Sequence, residues 1–346
     1  MNTGKEHHPS KKSTPAVESK GALLEIQDLH THFHTPEGVV RALSGVDLRL
    51  NEGRTLGIVG ESGCGKTVLA LTILRLIPQP PGRIAKGKIF FQGVDLLSLD
   101  DKGIREIRGN KISMIFQEPM TSLNPVFTIG SQIEEVIALH QPHLATTRRQ
   151  ARDVTVQMLD MVGISSPGKR IDDYPHQLSG GMCQRIMIAM ALACKPSLMI
   201  ADEPTTALDV TTQAQILSLM KDLKDETGTS IILVTHDLGV VANSCDEVAV
   251  MYTGHVVEYA GIESIFASPL HPYTKGLMRS IPTIEARKRG EILHTIPGNV
   301  PMGKDVPQGC TFNNRCEEVM DICRKEYPPV FVPAEGHSVR CWRYRR

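Results

Sequence analysis

The chain lacks any apolar run long enough to cross a bilayer, and its first residues hold no apolar signal core. It also lacks a surplus of charge, since 38 Lys and Arg residues balance 38 Asp and Glu residues. Proteins that bind nucleic acid draw much of their affinity from basic side chains, so this balance disfavours that class. These absences predict a soluble, cytosolic protein that reaches any membrane through partners.

Cysteine is sparse along most of the chain and concentrated near its end. Of eight cysteines, four lie close together in sequence: Cys310, Cys316, Cys323 and Cys341. A reducing compartment disfavours structural disulfides, so such a group is more often a metal site. Its spacing lacks the paired Cys-x₂₋₄-Cys knuckles of structural zinc, and four cysteines without histidine suit an iron–sulfur cluster. Zinc and free thiols stay open as alternatives.

Short apolar segments alternate with helical patterns through the body of the chain. Residues 1–20 are rich in Lys, Ser, Pro and His, which predicts a disordered tail. The predicted strands are residues 23–29, 39–43, 46–50, 55–59, 88–92, 112–116, 198–201, 231–234 and 248–251. The later strands are separated by helical patterns, which predicts a layered α/β core over residues 21–263.

Two regions depart from that alternation. Residues 118–178 read as several helices with polar links, including 129–139 and 148–162, and we interpret them as a helical subdomain inserted in the core. After residue 261 the strands give way to proline-rich, irregular sequence that frames the late cysteines. Residues 264–346 are therefore predicted to form a small C-terminal domain.

A glycine-rich loop follows the predicted strand 55–59 and precedes a helical pattern at 68–76. It reads Gly60-Glu61-Ser62-Gly63-Cys64-Gly65-Lys66-Thr67, which fits the phosphate-loop pattern in full. Its backbone N–H groups are expected to cradle phosphates, Lys66 to reach the β- and γ-phosphates, and Thr67 to ligate Mg²⁺. Cys64 is interpreted as a small filler, with a reactive thiol as the alternative.

Two acids end a second buried strand. The run Leu198-Met199-Ile200-Ala201-Asp202-Glu203 places Asp202 where it could hold Mg²⁺ through water, and Glu203 where it could polarise an attacking water. The alternative is that these acids only cap the next helix.

Two further polar residues follow predicted strands, where open α/β sheets bind ligands. His236 could contact the γ-phosphate, although a lone histidine after a strand is usually structural. Gln117 could touch Mg²⁺ or the attacking water, because it follows the predicted strand 112–116.

A separate segment, Leu178-Ser179-Gly180-Gly181, opens a long apolar helix. Adjacent glycines let a backbone approach a ligand, and a helix N-terminus attracts anions. Ser179, Gly180 and Gly181 are thus predicted to bind an anion apart from the phosphate loop.

Taken in order, these motifs together with Ala207-Leu208-Asp209 resemble the ATP-binding-cassette (ABC) ATPases, a branch of the P-loop NTPases, over residues 23–261. The resemblance implies binding of ATP and Mg²⁺, with Gln117 in the Q-loop, Asp209 in the D-loop and His236 as the switch histidine. It places Phe33 against adenine, with packing on the core as the alternative. Because cassettes in this family bind ATP head to tail, it also implies that Ser179 and Gly181 contact the γ-phosphate held by a partner subunit.

Other stretches, such as His271-Pro272-Tyr273-Thr274, are similar to the ATPase subunits of oligopeptide, dipeptide and nickel importers, most of all the dipeptide importers. That resemblance implies a paralogous second ATPase, two membrane permeases, an extracytoplasmic binding protein and a place on the cytoplasmic face of the inner membrane. It also implies a [4Fe–4S] cluster at the four late cysteines. A nickel importer remains an alternative, as does a soluble cassette ATPase that acts on ribosomes or DNA.

Overall fold

Two β-sheets organise the chain, one antiparallel and one mixed. The computed structural model describes residues 21–143, 146–206, 208–281 and 295–345, without the side chain of Lys304. The predicted tail at residues 1–20 lies outside the described residues, and so does Ala207 of the predicted D-loop.

The antiparallel sheet has the strand order β2-β1-β4-β5. Its strands are β1 (Ala22–Thr35), β2 (Gly38–Asn51), β4 (Gly82–Phe91) and β5 (Val94–Asp95). The alternation predicted for residues 46–50 holds, because Val46, Leu48 and Leu50 are all buried. The two strands predicted at 39–43 and 46–50 are a single strand, in which Gly45 adopts a left-handed backbone with φ +69° at a shift of register.

The mixed sheet has the order β11-β12-β10-β9-β3-β8-β7-β6. Its strands are β3 (Thr55–Val59), β6 (Ile112–Ile115), β7 (Leu198–Asp202), β8 (Ser230–Thr235), β9 (Glu247–Tyr252), β10 (His255–Gly261), β11 (Phe331–Ala334) and β12 (His337–Val339). Strands β9, β3, β8, β7 and β6 pair in parallel, so the carboxyl ends of β3, β7 and β8 meet at one edge. The α/β fold and its N-terminal antiparallel region are therefore confirmed.

Helices cover the mixed sheet and build the segment that follows β6. They are α1 (Lys66–Ile73), α2 (Asp101–Ile107), α3 (Pro119–Ser122), α4 (Ile129–His140), α5 (Arg148–Met161), α6 (Pro167–Arg170), α7 (Gly180–Leu192), α8 (Val210–Thr227), α9 (Leu238–Ser244), α10 (Ile262–Ala267) and α11 (Pro272–Arg279). The predicted helices at 68–76, 129–139 and 148–162 correspond to α1, α4 and α5. No helix among the residues just described is long and apolar enough to cross a membrane.

Helices α3 to α6 form the predicted helical insertion between β6 and α7. Local sequence explains where its longest member begins, because Thr147 and Gln150 close a reciprocal capping box at the start of α5. Ile133, Ile137 and Leu159 are fully buried in the same apolar cluster as Ile186 of α7. Burial of these apolar side chains holds the insertion against α7, the helix that carries the Leu-Ser-Gly-Gly motif.

The C-terminal region extends the mixed sheet. Strand β12 pairs with β10 through Glu258 opposite Val339 and Tyr259 opposite Ser338. Glu258 is fully buried, and it accepts hydrogen bonds from the backbone N–H groups of Leu270 (2.7 Å) and His271 (2.8 Å). The division of the chain at residue 264 into two domains stays a prediction.

The iron–sulfur prediction for Cys310, Cys316, Cys323 and Cys341 is wrong. Within the ranges that the structure describes, no group of three or more His, Cys, Asp or Glu side chains could hold a metal ion. All four are free cysteines that are buried or half-buried. Burial raises the pKa of Cys310 to about 12 and those of Cys316 and Cys341 to about 11, so these thiols are neutral near pH 7.

Candidate active site

The loop between β3 and α1 wraps closely around neighbouring backbone. Gly60, Gly63 and Gly65 have φ values of 153°, 79° and 106°. A Cβ at Gly60 would lie 2.3 Å from the carbonyl oxygen of Met251, and one at Gly65 would lie 2.7 Å from that of Ala42. Only glycine fits these positions, so the loop can turn its backbone N–H groups inward as a cradle for phosphate.

Lys66, the first residue of α1, is buried beneath this loop. Its Nζ donates to the carbonyl oxygens of Gly60 (2.8 Å) and Glu61 (3.1 Å), which holds the ammonium group inside the loop. Cys64 is fully buried, and burial raises the pKa of its thiol. Cys64 therefore suits the filler interpretation rather than that of a reactive thiol.

Asp202 ends β7 directly beside the start of α1. The Thr67 hydroxyl donates to its Oδ1 at 3.3 Å, and Asp202 is 2% exposed. Burial raises the pKa of Asp202, although the hydrogen bond from Thr67 and the charge of Lys66 oppose that effect. A hydroxyl and a carboxylate held together in a buried place are hard oxygen ligands of the kind that Mg²⁺ prefers, so the donor set fits this ion.

Glu203 is where the predicted catalytic residues converge. Its carboxylate accepts hydrogen bonds from Gln117 Nε2 (3.1 Å) and Thr206 Oγ1 (2.9 Å), and it contacts His236 Nδ1 at 3.2 Å. Glu203 also has a left-handed backbone with φ +47°, a costly conformation for a residue with a side chain. Gln117, Glu203 and His236 come from the ends of β6, β7 and β8, as the parallel order of the sheet requires.

The pKa of Glu203 lies below its ordinary value. Burial alone would raise this pKa. The hydrogen bonds from His236 and Thr206 and the nearby charge of Lys66 together lower it by more than burial raises it. Glu203 is thus a carboxylate near neutral pH. The next helix, α8, is capped by Asp209, which rules out the alternative that Asp202 and Glu203 serve only as its cap.

Two cavities flank the phosphate loop. The larger, about 690 Å³, is lined by Glu61, Gln117, Glu203 and His236, and the smaller, about 230 Å³, by Lys66, Thr67 and Val40. The C-terminal region also lines both of them, through Asn299, Val300, Pro301, Met302, Gly303 and Val306. Sequence reasoning missed this segment, because its proline-rich composition carries no motif.

Three predicted site elements lie apart from these cavities. Ser179 caps α7 and accepts from the N–H of Met182 at 3.3 Å, while Gly180 and Gly181 form the first turn of that helix. Asp209 caps α8 and accepts from the Thr212 N–H at 3.0 Å. Phe33 lies in β1 opposite Val40. Of these two residues, Val40 lines the smaller cavity and Phe33 does not.

Family models match two parts of the chain. The ABC transporter model matches residues 43–206, and the model of the oligopeptide/dipeptide transporter C-terminal region matches residues 257–323.

Curated relatives match over nearly the whole length. A probable peptide ABC transporter ATP-binding protein of Sinorhizobium fredii is 51% identical over 321 residues, which cover 93% of this chain and 95% of the relative. Two proteins of Bacillus subtilis are similarly close. The oligopeptide transport ATP-binding protein OppD is 50% identical (92% and 88% coverage), and the dipeptide transport ATP-binding protein DppD is 48% identical (92% and 94%).

Among solved structures, a dimeric post-hydrolysis state of the ATP-binding cassette MJ0796 bound to ADP and Pi superposes with a TM-score of 0.62 at 28% identity, covering 69% of this chain and 98% of that one. The phosphate loop, the acids at the end of β7 and the convergence on Glu203 agree with these matches. The chain therefore belongs to the ATP-hydrolysing ATP-binding proteins of the ABC transporter family, in the branch that carries the oligopeptide/dipeptide transporter C-terminal region.

Proposed function

We propose that this ATPase powers the import of dipeptides or oligopeptides through membrane permease subunits that receive substrate from an extracytoplasmic binding protein. The relatives at 48–51% identity bear peptide, oligopeptide or dipeptide transport names, which supports a peptide substrate. The chain works at the cytoplasmic face of the inner membrane, attached through the permeases.

The phosphate loop holds the triphosphate of ATP. Gly60, Ser62, Gly63, Cys64 and Gly65 offer backbone N–H groups, and Lys66 exchanges its bonds to loop carbonyls for the β- and γ-phosphate oxygens. Thr67, Asp202 and Gln117 would hold Mg²⁺, which would supply positive charge against the phosphates. Phe33 stacks on adenine in this proposal, at the end of the site where Val40 lies.

Glu203 is the single feature that carries this mechanism. Its ionised carboxylate orients a water molecule in line with the γ-phosphate and accepts a proton as the water attacks. The products are ADP and inorganic phosphate. His236 and Gln117 hold the Glu203 carboxylate from two sides, and His236 is exposed enough to meet the γ-phosphate directly, since 62% of its side chain is accessible.

A second cassette subunit completes the site in this proposal. Ser179, Gly180 and Gly181 reach the γ-phosphate held by the partner, and Asp209 lies at the same interface. Their distance from this chain's own cavities and the exposure of Ser179 support such a role. We further propose that the partner is a paralogous ATPase, so that the pair is a heterodimer.

The permeases dock on residues 117–140. Large apolar side chains are exposed there, namely Met120 (48%), Val126 (71%), Phe127 (54%) and Leu139 (72%). An exposed apolar group of this kind suits a helix of a membrane partner. Because Gln117 touches Glu203 at one end of this segment, closure around ATP would move the permease contact and open the transport path.

The test is Glu203→Gln in the assembled transporter. We expect hydrolysis and peptide uptake to fall about 100-fold or more while MgATP still binds, because the base is lost and the phosphate cradle is kept. The exposed Glu226→Gln in α8 serves as the matched control and is expected to behave as wild type. Unchanged turnover in Glu203→Gln would show that another group activates the water.

A further inference from the structure

Every polar group of Glu61, the second residue of the phosphate loop, has a partner. Its N–H donates to the Tyr273 hydroxyl at 2.8 Å, and its carbonyl oxygen accepts from Lys66 at 3.1 Å. Its carboxylate receives two parallel hydrogen bonds from Arg315, at 2.7 and 2.9 Å. Two of these three partners, Tyr273 and Arg315, belong to the part of the chain after residue 264.

Arg315 is buried and hydrogen-bonded to several groups besides Glu61. Only 3% of its side chain is exposed. Its guanidinium also donates to the carbonyl oxygens of Pro297 (2.8 Å) and Gly298 (3.1 Å) and lies near the rings of Tyr252 and Phe312. A buried guanidinium with all its bonds made cannot move away without leaving Glu61 uncompensated.

This ion pair lies where charge matters for the ligand. Glu61 is the one acid among residues 60–67, and its side chain lines the larger cavity beside the loop. A free carboxylate there would repel a triphosphate, whereas a carboxylate neutralised by a bidentate arginine would not. The carbonyl groups that Arg315 binds also directly precede Asn299 and Val300, which line the larger cavity.

We propose that Arg315 is a positioning residue for ATP binding, which neutralises Glu61 and braces the phosphate loop from the C-terminal region. The inference rests on the proposed role of the loop in holding the triphosphate. It gives the oligopeptide/dipeptide-type C-terminal region a direct part in the affinity of this chain for nucleotide.

The test measures the Kd of MgATP for the full-length chain by calorimetry at low and high salt. Arg315→Gln is expected to raise the Kd about tenfold, because Glu61 then repels the phosphates, and this defect should shrink as salt screens the charge. Glu61→Gln is expected to tighten binding about threefold, since the charge of Arg315 is no longer neutralised. The double variant Glu61→Gln/Arg315→Gln should return to within about threefold of wild type.

Rescue by the second substitution separates the electrostatic role from a merely structural one. If the double variant binds as weakly as Arg315→Gln, or if Arg315→Gln binds as wild type does, the inference is wrong. Should Arg315→Gln fail to fold, Glu61→Gln alone decides the question, and MgATP binding no tighter than in wild type would overturn the inference. Arg340→Gln, which breaks a C-terminal ion pair with Asp47 away from the loop, is the control and should leave the Kd unchanged. Failure of the wild-type chain to bind MgATP would instead overturn the proposed role of the loop.

Discussion

The phosphate-loop half and the Leu-Ser-Gly-Gly half of this molecule differ in how complete they are. Around the loop, Lys66, Asp202 and Glu203 each form hydrogen bonds to neighbouring groups of the same chain. Around Ser179 and Gly181, by contrast, the side chains only cap and begin a helix. One half is assembled within the chain, and the other presents a helix end outward. ATP binding and ATP hydrolysis should therefore be separable by mutation, and four experiments probe that difference.

Lys66→Ala should have the largest effect. It removes the ammonium group that the loop carbonyls hold in place for the phosphates, so the Kd of MgATP should rise at least about 100-fold. Binding to the isolated chain can be followed with a fluorescent ATP analogue. The exposed Lys221→Ala in α8 is the matched control, and equal losses in both variants would mean that the effect is not specific to the loop.

Ser179→Arg should affect hydrolysis alone. A bulky cation at the start of α7 blocks close approach to a partner's nucleotide, so ATPase activity of the assembled transporter should fall about 100-fold. The Kd of MgATP for the isolated chain should stay as in wild type, because Ser179 lies apart from the loop cavities. Weaker binding in the isolated chain would erase the distinction between the two halves.

Asp209→Ala tests whether the residues of the second half also support the fold. Asp209 caps α8 through the N–H and hydroxyl of Thr212, so Asp209→Ala should lower the free energy of unfolding. Urea unfolding of Asp209→Ala and Asp209→Asn would measure it, since asparagine is also a good cap. If asparagine destabilises as much as alanine, capping is not the reason.

The smallest effect concerns pH. The folded state lowers the pKa of Glu203 below its ordinary value of 4.5, so the ionised form stabilises the fold above that value and this contribution is lost as pH falls through the lower, folded pKa. The Tm of wild type minus that of Glu203→Gln should thus be constant from pH 6 to about pH 5 and decrease below about pH 4.5. A difference that changes most near pH 7 would point to another group.

The sequence predicted the centre of the molecule well and its outer contacts poorly. The loop, the buried strands and the residues at their ends carry local patterns, and parallel pairing then brings Gln117, Glu203 and His236 together. The bond from Arg315 to Glu61 joins residues 254 positions apart, in a segment without periodicity, so no local pattern could reveal it. Tyr273 stood inside a motif that the resemblance used, yet nothing in that motif indicated a bond to the loop.

At the late cysteines the sequence predicted a metal site that the structure does not support. Their number and the resemblance suggested an iron–sulfur cluster, but a count of cysteines does not show whether the side chains are arranged as ligands. In the part of the chain that the structure describes, no group of three or more His, Cys, Asp or Glu side chains could hold a metal ion. The arrangement of these side chains depends on tertiary packing, which composition does not encode.

The 254-residue separation between Glu61 and Arg315 also has a consequence for synthesis. A ribosome makes the phosphate loop long before it reaches the arginine that pairs with Glu61, and strands β11 and β12 come later still. A growing or prematurely ended chain therefore carries a loop whose acid is unpaired. Under the proposed role of Arg315, a chain that ends before this residue would bind ATP more weakly than the full chain.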